Sequence, residues 1–142
     1  MAEYGLIVTL HLARRRADGP LPARDVAEQE GLPTDYVEQI LLKLRRAGLV
    51  TSMRGAHGGY LLARDPAEVT VKDVIEGAEH HTFEVNCDTR PIDPARCSGS
   101  TACSIRPVWR ALQHRIDELL DSVSLAELMR AEVDVERFVT LR

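Results

Sequence analysis

The 142-residue chain lacks any long apolar run. The longest near its N-terminus is Leu6-Ile7-Val8, far short of the roughly 20 residues that cross a bilayer. It shows no charged-then-apolar leader, so the expectation is a cytoplasmic protein without a membrane partner. It also lacks a disulfide framework. Three cysteines are an odd number in a chain with no secretory signal, which moves metal or redox chemistry forward. Net positive charge is missing too: 18 Lys and Arg against 22 Asp and Glu leave −4. That excludes a uniformly basic nucleic-acid binder and leaves room for a local basic patch. There is no internal repeat, no low-complexity tract, no nucleophile–base pair at recognisable spacing and no phosphate-binding loop. The expectation is therefore not an enzyme.

What is present is a hydrophobic fraction of 44% with 28% charged residues, the balance of a globular chain rather than a disordered one. At about 100–200 residues per domain, the length fits one domain with a small appendage. The charge is uneven. Residues 33–64 carry Lys43, Arg45, Arg46, Arg54 and Arg64 against Asp35 and Glu38, a balance of +3. Residues 111–142 carry seven acids against four arginines, a balance of −3. One end of the protein suits a polyanion and the other is repelled by it.

Leu6, Leu10 and Ala13 recur at helical spacing and predict an amphipathic helix to about Arg16, broken by Asp18-Gly19-Pro20. Residues 23–30 predict a short helix with Val26 and Ala27 inward and Gly31 as its stop. Pro33 opens a third helix whose apolar set is Val37, Ile40, Leu41 and Leu44, ended by Gly48. Residues 49–54 and 60–63 read as strands joined by Gly55-Ala56-His57-Gly58-Gly59, a hairpin with a glycine-rich tip. Thr70 and Asp73 form a capping-box pair before a helix over 71–76, with Gly77 as its stop. Residues 82–106 show neither helical nor strand period and hold all three cysteines. A loop of that length inside a compact domain is functional or disordered. Pro107 starts a long helix in which Trp109, Leu112, Ile116, Leu119 and Val123 follow a 3-4-3-4 spacing, a coiled-coil seam that implies a homodimer. Ser124 and Glu127 form a second capping box, with Val123 and Leu128 placed to staple it, and a last short helix follows.

Two short helices joined by Gly31-Leu32-Pro33, then a basic hairpin, make a winged helix-turn-helix. The second helix of such a pair fits the major groove of double-stranded DNA, and Arg54 with the hairpin backbone reaches the flanking minor groove or phosphates. The same fold also serves purely for protein contacts, but the local +3 favours phosphate neutralisation. The cysteines read Cys87-x9-Cys97-x5-Cys103. Thiolates suit iron–sulfur clusters, zinc or copper(I), and no close C-x-x-C knuckle of the structural-zinc kind is present. The wide spacing on a loop suits a cluster, and the loop is too polar to bury three unrelated thiols. A cluster-free thiol- or zinc-based regulator, and a metal-binding or electron-transfer protein reusing the fold, remain as alternatives. His80, His81 and His114 are further ligand candidates beside a plainer role as solvated or hydrogen-bonded histidines. His11 and His57 read as structural or surface residues.

At Glu3-Tyr4-Gly5-Leu6, at Leu32-Pro33-Thr34-Asp35-Tyr36-Val37-Glu38-Gln39, at Leu44-Arg45-Arg46-Ala47-Gly48-Leu49-Val50, and at Arg54-Gly55-Ala56-His57-Gly58-Gly59-Tyr60-Leu61-Leu62, the chain resembles a known family. That family is the winged-helix iron–sulfur cluster transcriptional regulators of the IscR and NsrR type. The three cysteines ahead of the Trp109 helix match as well, and the resemblance spans nearly the whole chain. It implies a homodimeric repressor with its cluster between the DNA-binding domain and the dimerisation helix, ligated by Cys87, Cys97 and Cys103. It implies operator contacts that map to Thr34, Asp35, Tyr36, Glu38, Gln39, Arg45 and Arg54. Members of the IscR type place a histidine three residues after the last cysteine; here that position is Arg106, which is no ligand. Nitric-oxide-sensing members instead recruit a carboxylate near the N-terminus, where Glu3 aligns. The first cysteine spacing is longer than the family's. The chain also starts some residues later, where a usually basic segment stands, which implies an effect on DNA affinity.

The expectation is thus a mainly α protein with a small β-hairpin wing. Residues 1–80 form the winged helix-turn-helix domain, 81–106 the cluster-binding loop, and 107–142 the dimerisation helix and a C-terminal helix. The resemblance implies a 4Fe–4S cluster, favoured over 2Fe–2S, with Glu3 as a weak fourth ligand. The implied signal is nitric oxide, oxygen, redox state or iron supply.

Overall fold

Apolar residues at positions i, i+3, i+4 and i+7 line one face of a helix, and in this chain one such stripe is the centre of the core. A computed structural model describes residues 1–80, 93–95, 97 and 103–141. In it Val37, Ile40, Leu41 and Leu44 are all at zero exposure on helix α3 (Thr34–Arg46). Helix α1 (Ala2–Arg14) lays Val8, Leu12 and Ala13 into the same core. It ends two residues before Arg16, and a short 3-10 turn, Arg16–Asp18, follows. Helix α2 (Ala23–Glu30) adds Val26 and Ala27. Gly31, left-handed at φ 66°, stops α2, because a backbone turned that way carries no penalty without a Cβ. Pro33 stands just ahead of α3, where its missing N–H costs nothing.

The wing is β1 (Val50–Met53) paired antiparallel with β2 (Gly59–Leu62), Val50 opposite Leu62 and Met53 opposite Gly59. It is anchored to the body by a bridge the sequence pattern did not reveal. The Leu21 N–H donates to the Tyr60 carbonyl at 3.0 Å, and the Tyr60 N–H donates to the Leu21 carbonyl at 2.8 Å. Glycine at 59 makes this approach fit, since a Cβ there would sit 2.4 Å from the Leu21 carbonyl carbon.

Helix α4 (Val71–Glu79) starts on the expected Thr70–Asp73 capping box. It does not end at Gly77. The helix runs on to Glu79 and closes at His80, left-handed at φ 72°. Gly77 is a packing residue instead: a Cβ there would come within 2.8 Å of Leu49 Cδ1 and 3.1 Å of Ala47 Cβ. Gly5 plays the same part in α1, where a Cβ would meet Ala78 Cβ at 3.1 Å.

Helix α5 (Arg106–Asp121) is the long C-terminal helix, and none of its residues, all of them described, is buried. Helix α6 (Leu125–Leu128) follows on the expected Ser124–Glu127 capping box, and α7 (Glu132–Thr140) follows that. The segment after α5 returns to the body. Val71 N–H donates to Val123 O at 2.8 Å and Leu125 N–H to Val69 O at 2.9 Å. Leu125, at zero exposure, belongs to the same core cluster as the α3 stripe. Among the described residues no helix is long and apolar enough to cross a membrane.

Leu125→Ala should therefore destabilise the winged-helix body, by about 2–5 kcal/mol for a fully buried leucine. Denaturant unfolding followed at the α-helical signal measures this. An unchanged midpoint would mean that α6 does not close the core.

Candidate nucleic-acid interface and cysteine site

Burying one stripe of α3 turns the rest of the helix outward. Thr34, Asp35, Glu38, Gln39, Leu42, Arg45 and Arg46 are all exposed. Carboxylate, amide and hydroxyl groups at its N-terminal half are the groups that read base edges in a major groove. Tyr36 differs from its neighbours. It is half-buried, packs on the core, and meets Tyr4 edge to face with ring centroids 5.5 Å apart at 80°. Its ring thus sets α1 against α3 rather than standing bare. Arg45 donates from Nη1 to Ser52 Oγ at 3.1 Å, which ties the last turn of α3 to the first strand of the wing. Arg54 is exposed where β1 runs into the wing tip, a turn closed by Gly58 N–H donating to Gly55 O at 3.0 Å.

The five cations counted between residues 33 and 64 divide into two groups. Lys43 is half-buried and donates from Nζ to the Ala78 carbonyl at 3.1 Å. Arg64 lies 3.4 Å from Asp73. Both are engaged within the body. Arg45, Arg46 and Arg54 are exposed on α3 and the wing and supply the local field a phosphate backbone would meet. Nearby, Arg16 pairs with Asp65 at 3.0 Å. The Ala67 N–H and then this guanidinium hold the Asp65 carboxyl below its usual range. Ser52 was missed by sequence reasoning, since nothing in a four-residue strand marks which hydroxyl meets an arginine from another element.

Of the cysteines, Cys97 is half-buried and Cys103 exposed; Cys87 and His81 lie outside the described residues. Cys97 closes a turn in which its N–H donates to Asp93 O at 2.7 Å and the Ala95 N–H donates to Asp93 Oδ1 at 3.0 Å. Arg106, the first residue of α5, donates from Nη2 to the Cys97 carbonyl at 3.1 Å. The side chain at the family's histidine position thus serves as a clamp between the Cys97 turn and α5. Two soft thiol donors at the head of one helix fit an iron–sulfur cluster in donor type. Among the described residues, however, no three His, Cys, Asp or Glu side chains come together as a metal-holding group. Glu3 is exposed in the first turn of α1. His80 caps α4, His114 pairs with Glu118 at 3.1 Å, and His57 is exposed at the wing tip. His11 is buried against Glu30, with Nδ1 2.5 Å from Oε1.

Comparison with known proteins places this arrangement. The sequence signature of the Rrf2 family, described as an iron-dependent transcriptional regulator, matches residues 1–131, which is everything ahead of helix α7. The chain is 38% identical over 127 residues to the HTH-type transcriptional regulator IscR of Aliivibrio salmonicida, across 89% of this chain and 73% of that protein. Among solved structures it is similar to IscR of T. potens, with a TM-score of 0.70 and 34% identity over 90% of this chain and 82% of that one. It is equally similar to CymR (YrzC), the global cysteine regulator of B. subtilis, with a TM-score of 0.70 and 33% identity over 89% of this chain and 91% of that one. The resemblance read from the sequence, and the winged-helix architecture with it, are borne out. The family signature spans more than nine-tenths of the chain and the relatives are more than 30% identical across most of their own length, so the chain belongs to the Rrf2 family of iron-dependent transcriptional regulators.

Proposed function

We propose that this protein is a homodimeric repressor, working in the cytoplasm, whose binding to a double-stranded DNA operator is controlled by an iron–sulfur cluster. The observation that carries the reading is the division of α3. One stripe is fully buried, while Thr34, Asp35, Glu38, Gln39 and Arg45 are exposed beside a wing that exposes Arg54. In this reading α3 lies in the major groove with those side chains toward base edges, and Tyr36 holds the helix at its angle to α1. Arg45 and Arg54 meet phosphate or the flanking minor groove.

Dimerisation falls to α5. Trp109, Leu112 and Leu119 are 40%, 42% and 41% exposed in the single chain and Ile116 is half-buried, and a second copy of the seam would cover them. Val123, expected in the same seam, lies past the end of α5 and is buried in its own chain instead. Cys87, Cys97 and Cys103 would hold the cluster, 4Fe–4S in the favoured version, and Glu3, which does not gather with Cys97 and Cys103 in the single chain, would take the fourth position across the dimer. When bound, the cluster supplies an iron that a small molecule such as nitric oxide or oxygen can reach at its carboxylate ligand, the hard donor on a soft site. Arg106 keeps the Cys97 turn fixed to α5, so that the thiol is presented from the dimerisation helix. A second reading, a thiol switch without a cluster, is favoured by one observation: Cys103 is exposed in a fold shared with a cysteine regulator.

Anaerobic reconstitution with iron and sulfide separates the two. The expected outcome is a coloured protein with visible absorption that is lost in Cys97→Ala and in Cys103→Ala. A colourless wild type overturns the cluster and promotes the thiol switch. Arg54→Ala should weaken binding to all DNA sequences alike and reduce the slope of log affinity against log salt by about one. Glu38→Ala should instead relax the preferred operator sequence, because a carboxylate in the groove accepts from cytosine N4; an unchanged preference would remove α3 from the groove. Leu112→Ala should shift sedimentation toward monomer, and a wild type that is monomeric at micromolar concentration removes the dimer.

A further inference from the structure

The last turn of α4 is where α1, α3 and α4 meet. Gly77 lies under Leu49, Ala47 and Leu44, and Ala78 lies against Gly5 of α1. Two charged side chains fasten the same turn. Lys43, in the last turn of α3, donates from Nζ to the Ala78 carbonyl at 3.1 Å. Helix C-termini leave carbonyls without intrahelical partners and carry partial negative charge, so an ammonium there satisfies both needs. Glu79, one residue on, accepts from the Ala2 N–H at Oε1, 2.7 Å away. That N–H is one of the unpartnered donors at the positive end of α1, and a carboxylate complements it in the same way. The chain then leaves α4 through His80 in the left-handed conformation, φ 72°. That conformation is uncommon for a residue with a side chain and persists only where surrounding contacts hold it. The next residues in the sequence lead to Cys87.

We propose that Lys43 and Glu79 are positioning residues that couple the cysteine segment to the DNA-reading helix. Lys43 joins the exit of α4 to α3. Glu79 joins the same exit to the first turn of α1, the turn that carries Glu3. A shift of the cysteine segment moves the end of α4, and these two charged contacts pass the shift to the recognition helix and to the candidate fourth ligand together. Neither side chain belongs to the exposed face of α3 or to the thiol set. Their contribution is therefore to the link between the two sites and not to either site. The inference rests on the cluster-control reading above.

The test is the ratio of operator dissociation constants between the anaerobically cluster-loaded and the cluster-free forms of the full chain. For wild type the expected ratio is about 5–150-fold, the usual range for coupled sites. Lys43→Met keeps the apolar stem and removes the donor. It should keep the visible spectrum of the loaded protein and bring the ratio to within about threefold of one, while Lys43→Arg retains the wild-type ratio. Glu79→Ala should lower the ratio likewise, and Glu79→Gln, which still offers an oxygen to the Ala2 N–H, should restore much of it. If Lys43→Met does not fold, the Glu79 pair decides the matter alone. A large wild-type ratio that survives Lys43→Met or Glu79→Ala, with only a lowered melting temperature, overturns the coupling and leaves cluster control standing. A wild-type ratio near one overturns cluster control and the coupling with it.

Discussion

Burial of a single stripe, Val37-Ile40-Leu41-Leu44, is the constraint on which the rest of this molecule hangs. Each of these side chains is at zero exposure, and each contributes roughly 1.5–3 kcal/mol by leaving water. In a chain this short few other sources of stability are as large. The stripe recruits α1, α2, α4, the base of the wing and Leu125. Because it takes one face of α3 completely, it also decides which side chains are left outside. The candidate base-reading residues are exposed not because a site was added to the fold, but because they are what remains when the stripe is buried. On the proposed reading, a recognition helix held this way would keep its polar face in one register against a groove.

The second constraint is the tightness of the helix crossings around α4. Gly5 and Gly77 remove side chains where α1 and the α3–β1 joint approach α4, and close-packed interiors transmit displacement rather than absorb it. Lys43 and Glu79 then set opposite charges on opposite helix ends, each matched to the local dipole. Val69 and Val71 hydrogen-bond to Leu125 and Val123 at the start of α4.

Helix α5 obeys a different rule from the other helices. Its apolar residues do not enter the core of their own chain, although their spacing is as regular as that of α3. The difference is in width. A 3-4 seam is a narrow stripe suited to another seam, whereas the α3 set meets several elements at once. The acids that accumulate after residue 111 reinforce the separation, since a negative C-terminal part is repelled by the phosphates that Arg45, Arg46 and Arg54 would meet.

What could be read along the chain was whatever closes within a few residues. The α3 stripe, the left-handed stop at Gly31, the glycine-rich turn of the hairpin and the capping boxes at Thr70 and Ser124 all rest on hydrogen bonds or successive spacings of five residues or fewer, so the sequence alone determines them. What depends on a partner far along the chain was hidden. Gly77 looks like a helix stop because its neighbours Leu49 and Ala47 are almost thirty residues away. Lys43 counts as a basic charge until Ala78 comes to it. Arg106 looks like a lost ligand until its guanidinium is seen holding Cys97, and Leu125 becomes core only when residues 69–71 pair with it. Local periodicity sets which face each element must bury. Only the folded chain sets which distant group meets it there, because that choice depends on the three-dimensional packing of all the stripes at once.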